Sequence, residues 1–171
     1  MQFVKRYALH PRAYYRFKDL MVVHMQKVKE KHDCQFANMA YSDYKLPFKG
    51  INYKPPYWDE ASSLINDALL NYANTWGCED IKIVSMWFAE YETGNNFNWH
   101  THEGCNLSAV LQLHGGHQSA TQLYGIEDLK VSAGDFVIFP SMLPHRGPQV
   151  TGHKICIGFN LSMGGSVLHN E

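Results

Sequence analysis

The sequence predicts an α+β fold, mainly β, in which two N-terminal helices brace one sheet of a sandwich or barrel of short strands. Three observations carry this expectation. Apolar residues recur at helical spacing in two segments of the first 77 residues. After Gly77 the apolar period shortens to that of strands. Turn residues then separate several short apolar runs, the pattern of antiparallel sandwiches and barrels, and helices that precede strands in the chain stack on one sheet.

The first helix is predicted from Arg12 to Lys31, with Phe17, Leu20, Met21, Met25 and Val28 on one side and Pro11 suited to open it. The basic residues between Lys27 and Lys31 read as its solvated face. Residues 32–57 carry Pro47, Gly50, Pro55 and Pro56 among many aromatics and are read as irregular. A second helix is expected from Asp59 to Trp76. Its inner face is Ala61, Leu64, Ile65, Ala68, Leu69, Tyr72 and Trp76, and Gly77 ends it. Ile81–Tyr91 is apolar on both alternations, as in a buried strand. Leu107–Leu113 alternates, and Phe136–Phe139 is a short run between Gly134 and Pro140, with Asp135 as a turn residue. In Lys154–Leu161, Ile155, Ile157, Phe159 and Leu161 face one way. Lys154, Cys156, Gly158 and Asn160 face the other. The chain, 1–171, is read as one domain: a helical support region over 1–77 and a β core over 80–162.

A formal net charge of −1 gives no global field to attract nucleic acid or an anionic membrane. No run approaches the roughly 20 apolar residues of a membrane span. The first residues lack the apolar segment of a secretory signal. Cys34, Cys78, Cys105 and Cys156 form no CxxC motif. Free thiols in a reducing, cytoplasmic setting are therefore expected, without membrane or bulk nucleic-acid partners.

Ten histidines invite a search for a metal site. Most read as surface or structural side chains: His24, His32, His153, His169, and His114 and His117 around the Gly115-Gly116 turn. Three do not. His100 and His102 are two apart, so an extended segment puts both on one face. His145 follows an apolar strand and a proline-rich corner, which places it at a strand end facing a cavity. Three such ligands leave coordination positions open. Glu103 faces away if the strand is regular. Lys154 lies nine residues beyond His145, across the turn containing Gly147, Pro148 and Gly152, where its ammonium can meet a carboxylate distal to the metal. A buried lysine there is expected to pair with an anion or with hydroxyls. Gln122 and Tyr124 lie on a further predicted strand that can line the cavity. Trp87, Phe97 and Trp99 read as core aromatics.

Trp87, Gly94-Asn95, His100-x-His102, Leu107-Ser108-Ala109-Val110, Phe139-Pro140-Ser141-x-Leu143-x-His145 and Lys154-x-Cys156-x-x-Phe159-Asn160 occur in this order. Together they resemble the iron(II)- and 2-oxoglutarate-dependent oxygenase superfamily, and more closely its small bacterial and phage members. The resemblance spans roughly Ile81 to Leu161. It implies a double-stranded β-helix (jelly-roll, cupin-like) with the N-terminal helices packed on one sheet. It implies Fe(II) held by His100 and His145, and 2-oxoglutarate whose far carboxylate meets Lys154, with Cys156 beside it. No catalytic group beyond the metal ligands is implied, and hydroxylation of a small molecule or peptide is the default outcome. The reading allows a homodimer. Two departures stand out. His102 occupies the place of the usual acidic ligand, and Lys154 that of an arginine, which keeps the charge but loses bidentate geometry. His102 is then a third neutral ligand, or it is itself the first ligand, with Gly104 leaving a position open. A three-His dioxygenase without 2-oxoglutarate and a non-catalytic cupin-like binding module are the competing readings.

Overall fold

The computed structural model describes residues 2–165, so His169 lies outside the described residues. In chain order the elements are β1 (Lys5–Ala8), α1 (Pro11–Lys31), β2 (Gln35–Phe36), β3 (Met39–Ser42), α2 (Trp58–Trp76), β4 (Ile81–Tyr91) and β5 (Phe97–His100). They continue with β6 (Leu107–His114), β7 (Gln122–Leu123), β8 (Asp135–Pro140), β9 (His145–Gly147) and β10 (Lys154–Met163). A large sheet has the order β1-β8-β6-β10-β4-β3-β2 and a small one the order β5-β9-β7. Every pairing is antiparallel. The two facing sheets form a double-stranded β-helix.

The helices form where the apolar spacing places them. Pro11 fills the first turn of α1, where its missing N–H would have no intrahelical partner. At the end of α2, Gly77 adopts φ 64°, a left-handed conformation that lets its N–H bond the Ala73 carbonyl. Both helices lie against the outer face of the large sheet. Phe17, Met21 and Met25 of α1 and Ile65, Leu69 and Tyr72 of α2 share a core with Phe88, Leu111, Ile138, Ile157 and Phe159. That leaves the opposite face of the same strands to look toward the small sheet. No helix among the described residues is long and apolar enough to cross a membrane. The four cysteines are unpaired.

The region before Gly77 is not helical throughout, because it also gives β1, β2 and β3 to the large sheet. β1 is four residues of largely exposed chain, KRYA, paired in register with β8 from Lys5↔Ile138 to Ala8↔Asp135. It has no apolar alternation because it is an edge strand, held by its ladder rather than by burial. The irregular stretch 32–57 contains the short β2–β3 hairpin, joined to β4 through Tyr41↔Glu90 and Ser42↔Ala89. Asp43, immediately after β3, anchors the rest of this stretch. Its carboxylate is buried and accepts hydrogen bonds from the Tyr53 and Tyr57 hydroxyls, at 2.5 and 2.7 Å, and from the Phe88 N–H at 2.8 Å. The loop before α2 is thereby tied to the middle of β4.

Burial raises the Asp43 pKa from 3.8 to about 6, against the three donors that favour the charged form. Between those two values the folded chain holds a proton that the unfolded chain has released. Asp43 therefore subtracts stability as pH rises through this window and subtracts no more above it. We expect Asp43→Asn to match the wild type near pH 4 and to gain on it by a few kcal/mol, about 1.4 per pKa unit, by pH 7. Denaturant unfolding of both proteins across pH 4–7 measures this; a difference that stays flat with pH contradicts it.

Candidate metal centre

His100 ends β5 and His145 opens β9, and the two are directly opposite in the ladder that joins those strands. His102 lies two residues past His100, where its N–H donates to the Ser141 carbonyl at the end of β8. The small sheet and one backbone bond thus bring together side chains from two distant parts of the sequence. Ring centroids are 4.2 Å apart for His100–His145, 4.9 Å for His102–His145 and 5.2 Å for His100–His102. One nitrogen from each ring lies within 4.8 Å of the others. No other such group of three His, Cys, Asp or Glu occurs among the described residues.

Each imidazole is oriented the same way. Nδ1 of His100 meets the Asn98 carbonyl at 2.8 Å, Nδ1 of His145 the Leu143 carbonyl at 3.0 Å, and Nδ1 of His102 the Asn160 Oδ1. An acceptor oxygen requires a proton on Nδ1, which leaves Nε2 with its lone pair free. Asn160 is fixed in turn, its amide donating to the Ser85 hydroxyl at 3.0 Å. Burial favours the neutral rings. It lowers the pKa of His100, and it lowers that of His145 to about 3, with the two neighbouring histidines adding to the effect. Three imidazoles with their Nδ1 partners already in place fit a divalent cation.

These rings border a cavity of about 340 Å³ between the two sheets. Trp87, Tyr91, Phe97, Ser108, Phe139 and Cys156 are among its lining residues. Trp87 lies flat on β10 at Gly158, where an added Cβ would sit 2.6 Å from the indole. That glycine is what lets the ring lie 5.6 Å from His102. Lys154, which does not line the cavity, is fully buried on the same face of β10 as Cys156, Gly158 and Asn160. Its ammonium sits 4.7 Å from the centre of the Tyr91 ring and has no hydrogen-bond partner. The Ser108 hydroxyl and the Gln112 amide oxygen, on the adjoining strand β6, are also unpartnered. Burial lowers the Lys154 pKa and raises that of the Cys156 thiol. A buried, unpaired ammonium is costly, and an anion beside it removes that cost.

The sequence-predicted residues divide cleanly. His100, His102, His145 and Cys156 line one cavity, whereas Lys154 is buried behind its wall, over the Tyr91 ring. Gln122 and Tyr124 do not line it. β7 ends at Leu123, Tyr124 is 64% exposed, and Gln122 faces outward to bond Arg146. Leu123, between them, takes the inward position on the two-residue period. The lysine also lacks the anion or hydroxyl partner expected from its burial, since only the Tyr91 ring faces it. Trp87 and Phe97, read as core aromatics, line the cavity, whereas Trp99 is 43% exposed. Asp135 closes a turn with Ser132, whose N–H donates to its carboxylate at 2.8 Å, as it opens β8, and it also pairs with Arg6 at 3.6 Å. Asn160 and Tyr91 join the site from outside the sequence-predicted set. Asn160 carries a sequence signal, because it shares the polar alternation of Lys154 and Cys156.

No protein-family model and no curated protein matches the sequence. Solved structures do match in shape. A viral collagen prolyl hydroxylase from Paramecium Bursaria Chlorella virus-1, in complex with 2-oxoglutarate, aligns with a TM-score of 0.63 at 11% identity, over 96% of this chain and 97% of that one. A prolyl-4-hydroxylase from Pseudomonas putida aligns with a TM-score of 0.59 at 16% identity, over 94% and 93%. A non-heme α-ketoglutarate-dependent carbocyclase of nogalamycin biosynthesis gives 0.63 at 13%, over 98% and 84%. The likeness is one of fold.

If Asn160 holds the His102 ring for a cation, removing its amide is felt in affinity. We expect Asn160→Leu to weaken Mn(II) or Co(II) binding about 10- to 100-fold, read by calorimetric titration of the metal-free protein. Equal affinity in both proteins excludes this role.

Proposed function

We propose that this chain, which has the double-stranded β-helix fold of those oxygenases, is an iron(II)- and 2-oxoglutarate-dependent dioxygenase that hydroxylates its substrate. The observation that carries the proposal is the unpaired Lys154 ammonium, buried beside the walls of a cavity that three histidines border. His100, His102 and His145 would hold the iron through Nε2. Lys154 would take the far carboxylate of 2-oxoglutarate, with Cys156 beside it. When bound, this pair of cofactors supplies oxygen activation: one oxygen atom enters a substrate C–H bond, the other enters succinate, and carbon dioxide leaves.

The chain's own groups do the positioning. Asn98, Leu143 and Asn160 keep each Nδ1 protonated and each ring in place. Trp87, Phe97 and Phe139 exclude water from the reacting centre, which strengthens charge interactions there. The Tyr91 ring shields the lysine until an anion arrives. A cupin-type dioxygenase working without 2-oxoglutarate is favoured by one observation, a donor set with no carboxylate in it. It leaves the buried lysine unexplained, as does a binding module with a decayed site. We further propose a cytoplasmic setting.

Succinate release from 2-oxoglutarate under iron(II) and oxygen tests the activity. A charge-assisted hydrogen bond contributes about 1.5–3 kcal/mol, so Lys154→Met is expected to raise the 2-oxoglutarate requirement about tenfold or more while metal affinity stays close to that of the wild type. Lys154→Arg restores part of it. An unchanged requirement in Lys154→Met removes 2-oxoglutarate from the proposal and moves the three-His dioxygenase ahead.

A further inference from the structure

Where the cavity meets an adjoining groove, side chains of the small sheet form a second surface. Arg146 follows His145 on β9 and faces the opposite way. Its guanidinium lies over the Trp99 ring, 4.7 Å from the centroid, and its Nε donates to Gln122 Oε1 at 2.8 Å. Trp99 meets the exposed Tyr124 edge-on at 5.7 Å. The ring and the amide hold the guanidinium from two sides. Yet its terminal nitrogens have no partner, and no carboxylate among the described residues forms an ion pair with Arg146. An arginine held in this way has already lost the freedom that binding would otherwise cost, and its planar fork matches a carboxylate.

Position gives this surface its meaning. Arg146 and Thr121 line both the histidine cavity and an adjoining groove, which runs past Trp99 and Tyr124 and has a volume of about 840 Å³. A ligand reaching the histidines can therefore extend over the arginine without leaving the protein. We infer that the substrate is an acidic peptide segment: one residue enters the cavity, and the carboxylate of a neighbouring Asp or Glu is held by Arg146 on the Trp99–Tyr124 platform. The charges favour one carboxylate over a phosphate backbone. Glu103 stands at the cavity, and the groove is lined by Glu127 as well as Lys130, so no run of cations is present to follow a phosphate backbone. The groove's volume of about 840 Å³ favours a chain over a free acid. This inference rests on the oxygenase reading for the role of the cavity, but the docking itself needs no turnover.

The test uses an oriented dodecapeptide library with fixed flanks and ten randomised positions, captured on the full chain loaded with Mn(II) and on the metal-free chain. Mn(II) and 2-oxoglutarate binding are first titrated separately, so a failed cofactor site is distinguished from a failed peptide site. The expected result is enrichment of Asp or Glu at one position in the bound pool. A peptide made from that pool is then expected to bind Arg146→Gln about tenfold more weakly, with Arg146→Lys in between. Its Gln or Asn counterpart should lose about the same factor on the wild type and little on Arg146→Gln. Thermal unfolding of both variants controls for misfolding, and the wild-type preference stands without them. A pool with no acidic enrichment, an enrichment unchanged in a folded Arg146→Gln, or equal competition by free glutarate overturns the peptide assignment. Enrichment of phosphorylated oligonucleotides over peptides in a parallel selection overturns it as well.

Discussion

The placement of β10 between β4 and β6 is the constraint on which the rest of the structure depends. Its register runs from Lys154↔Tyr91 to Met163↔Ile81 on one side and from Ile155↔His114 to Leu161↔Leu107 on the other. Because side chains alternate, one strand serves two environments. Ile155, Ile157, Phe159 and Leu161 complete the core beneath the helices, while Cys156, Gly158 and Asn160 line the cavity on the opposite face and Lys154 is buried on that same alternation. A slip of one residue would put a lysine and an asparagine under the helices and isoleucines in the cavity. The cost of that exchange fixes the register, and the register sets Lys154, the Trp87–Gly158 contact and the Asn160 support of His102 in one row.

The electrostatics of the interior depend on the same row. Burial disfavours the charged forms of His100 and His145, outweighing the carbonyl oxygens that their Nδ1 protons meet. The one cation buried there, Lys154, is separated from solvent and faces an aromatic ring rather than an acid. An acid from the protein would have satisfied the lysine permanently and closed the site to an incoming carboxylate. Leaving it unpaired costs stability, a cost that the helix-backed core can absorb. The guanidinium of Arg146 obeys a related logic on the outside, where rigidity takes the place of burial.

Asp43 shows the opposite treatment of a buried charge. Two tyrosine hydroxyls and a backbone N–H meet it, so its charge is met within the protein. It ties the loop before α2 to β4. That loop carries Tyr44, whose ring packs 5.0 Å from Trp87 at the cavity wall. The network thus links the helical layer to the site without entering its chemistry.

The sequence by itself determined the elements whose burial imposes a period: both helices to within a residue or two, the long strands β4, β6 and β10, and the short run of β8. It also singled out, of ten histidines, the three that the structure brings together, because the spacing of His100 and His102 and the strand-end position of His145 are local facts. What it did not carry lies where no period is written. β1 is a polar edge strand, β2 and β7 are two residues long, and β5 and β9 are held by ladders between segments some 45 residues apart. Sequence reasoning assigns Tyr124 and Gln122 to the cavity because an isolated pair of residues does not reveal which of its alternating positions faces in. Only the tertiary structure decides that, since the inward side of a short strand is set by its partners and not by its own side chains. The same holds for Tyr91 beneath Lys154 and for Arg146 on Trp99, which are contacts between strands brought together by the closing of the two sheets.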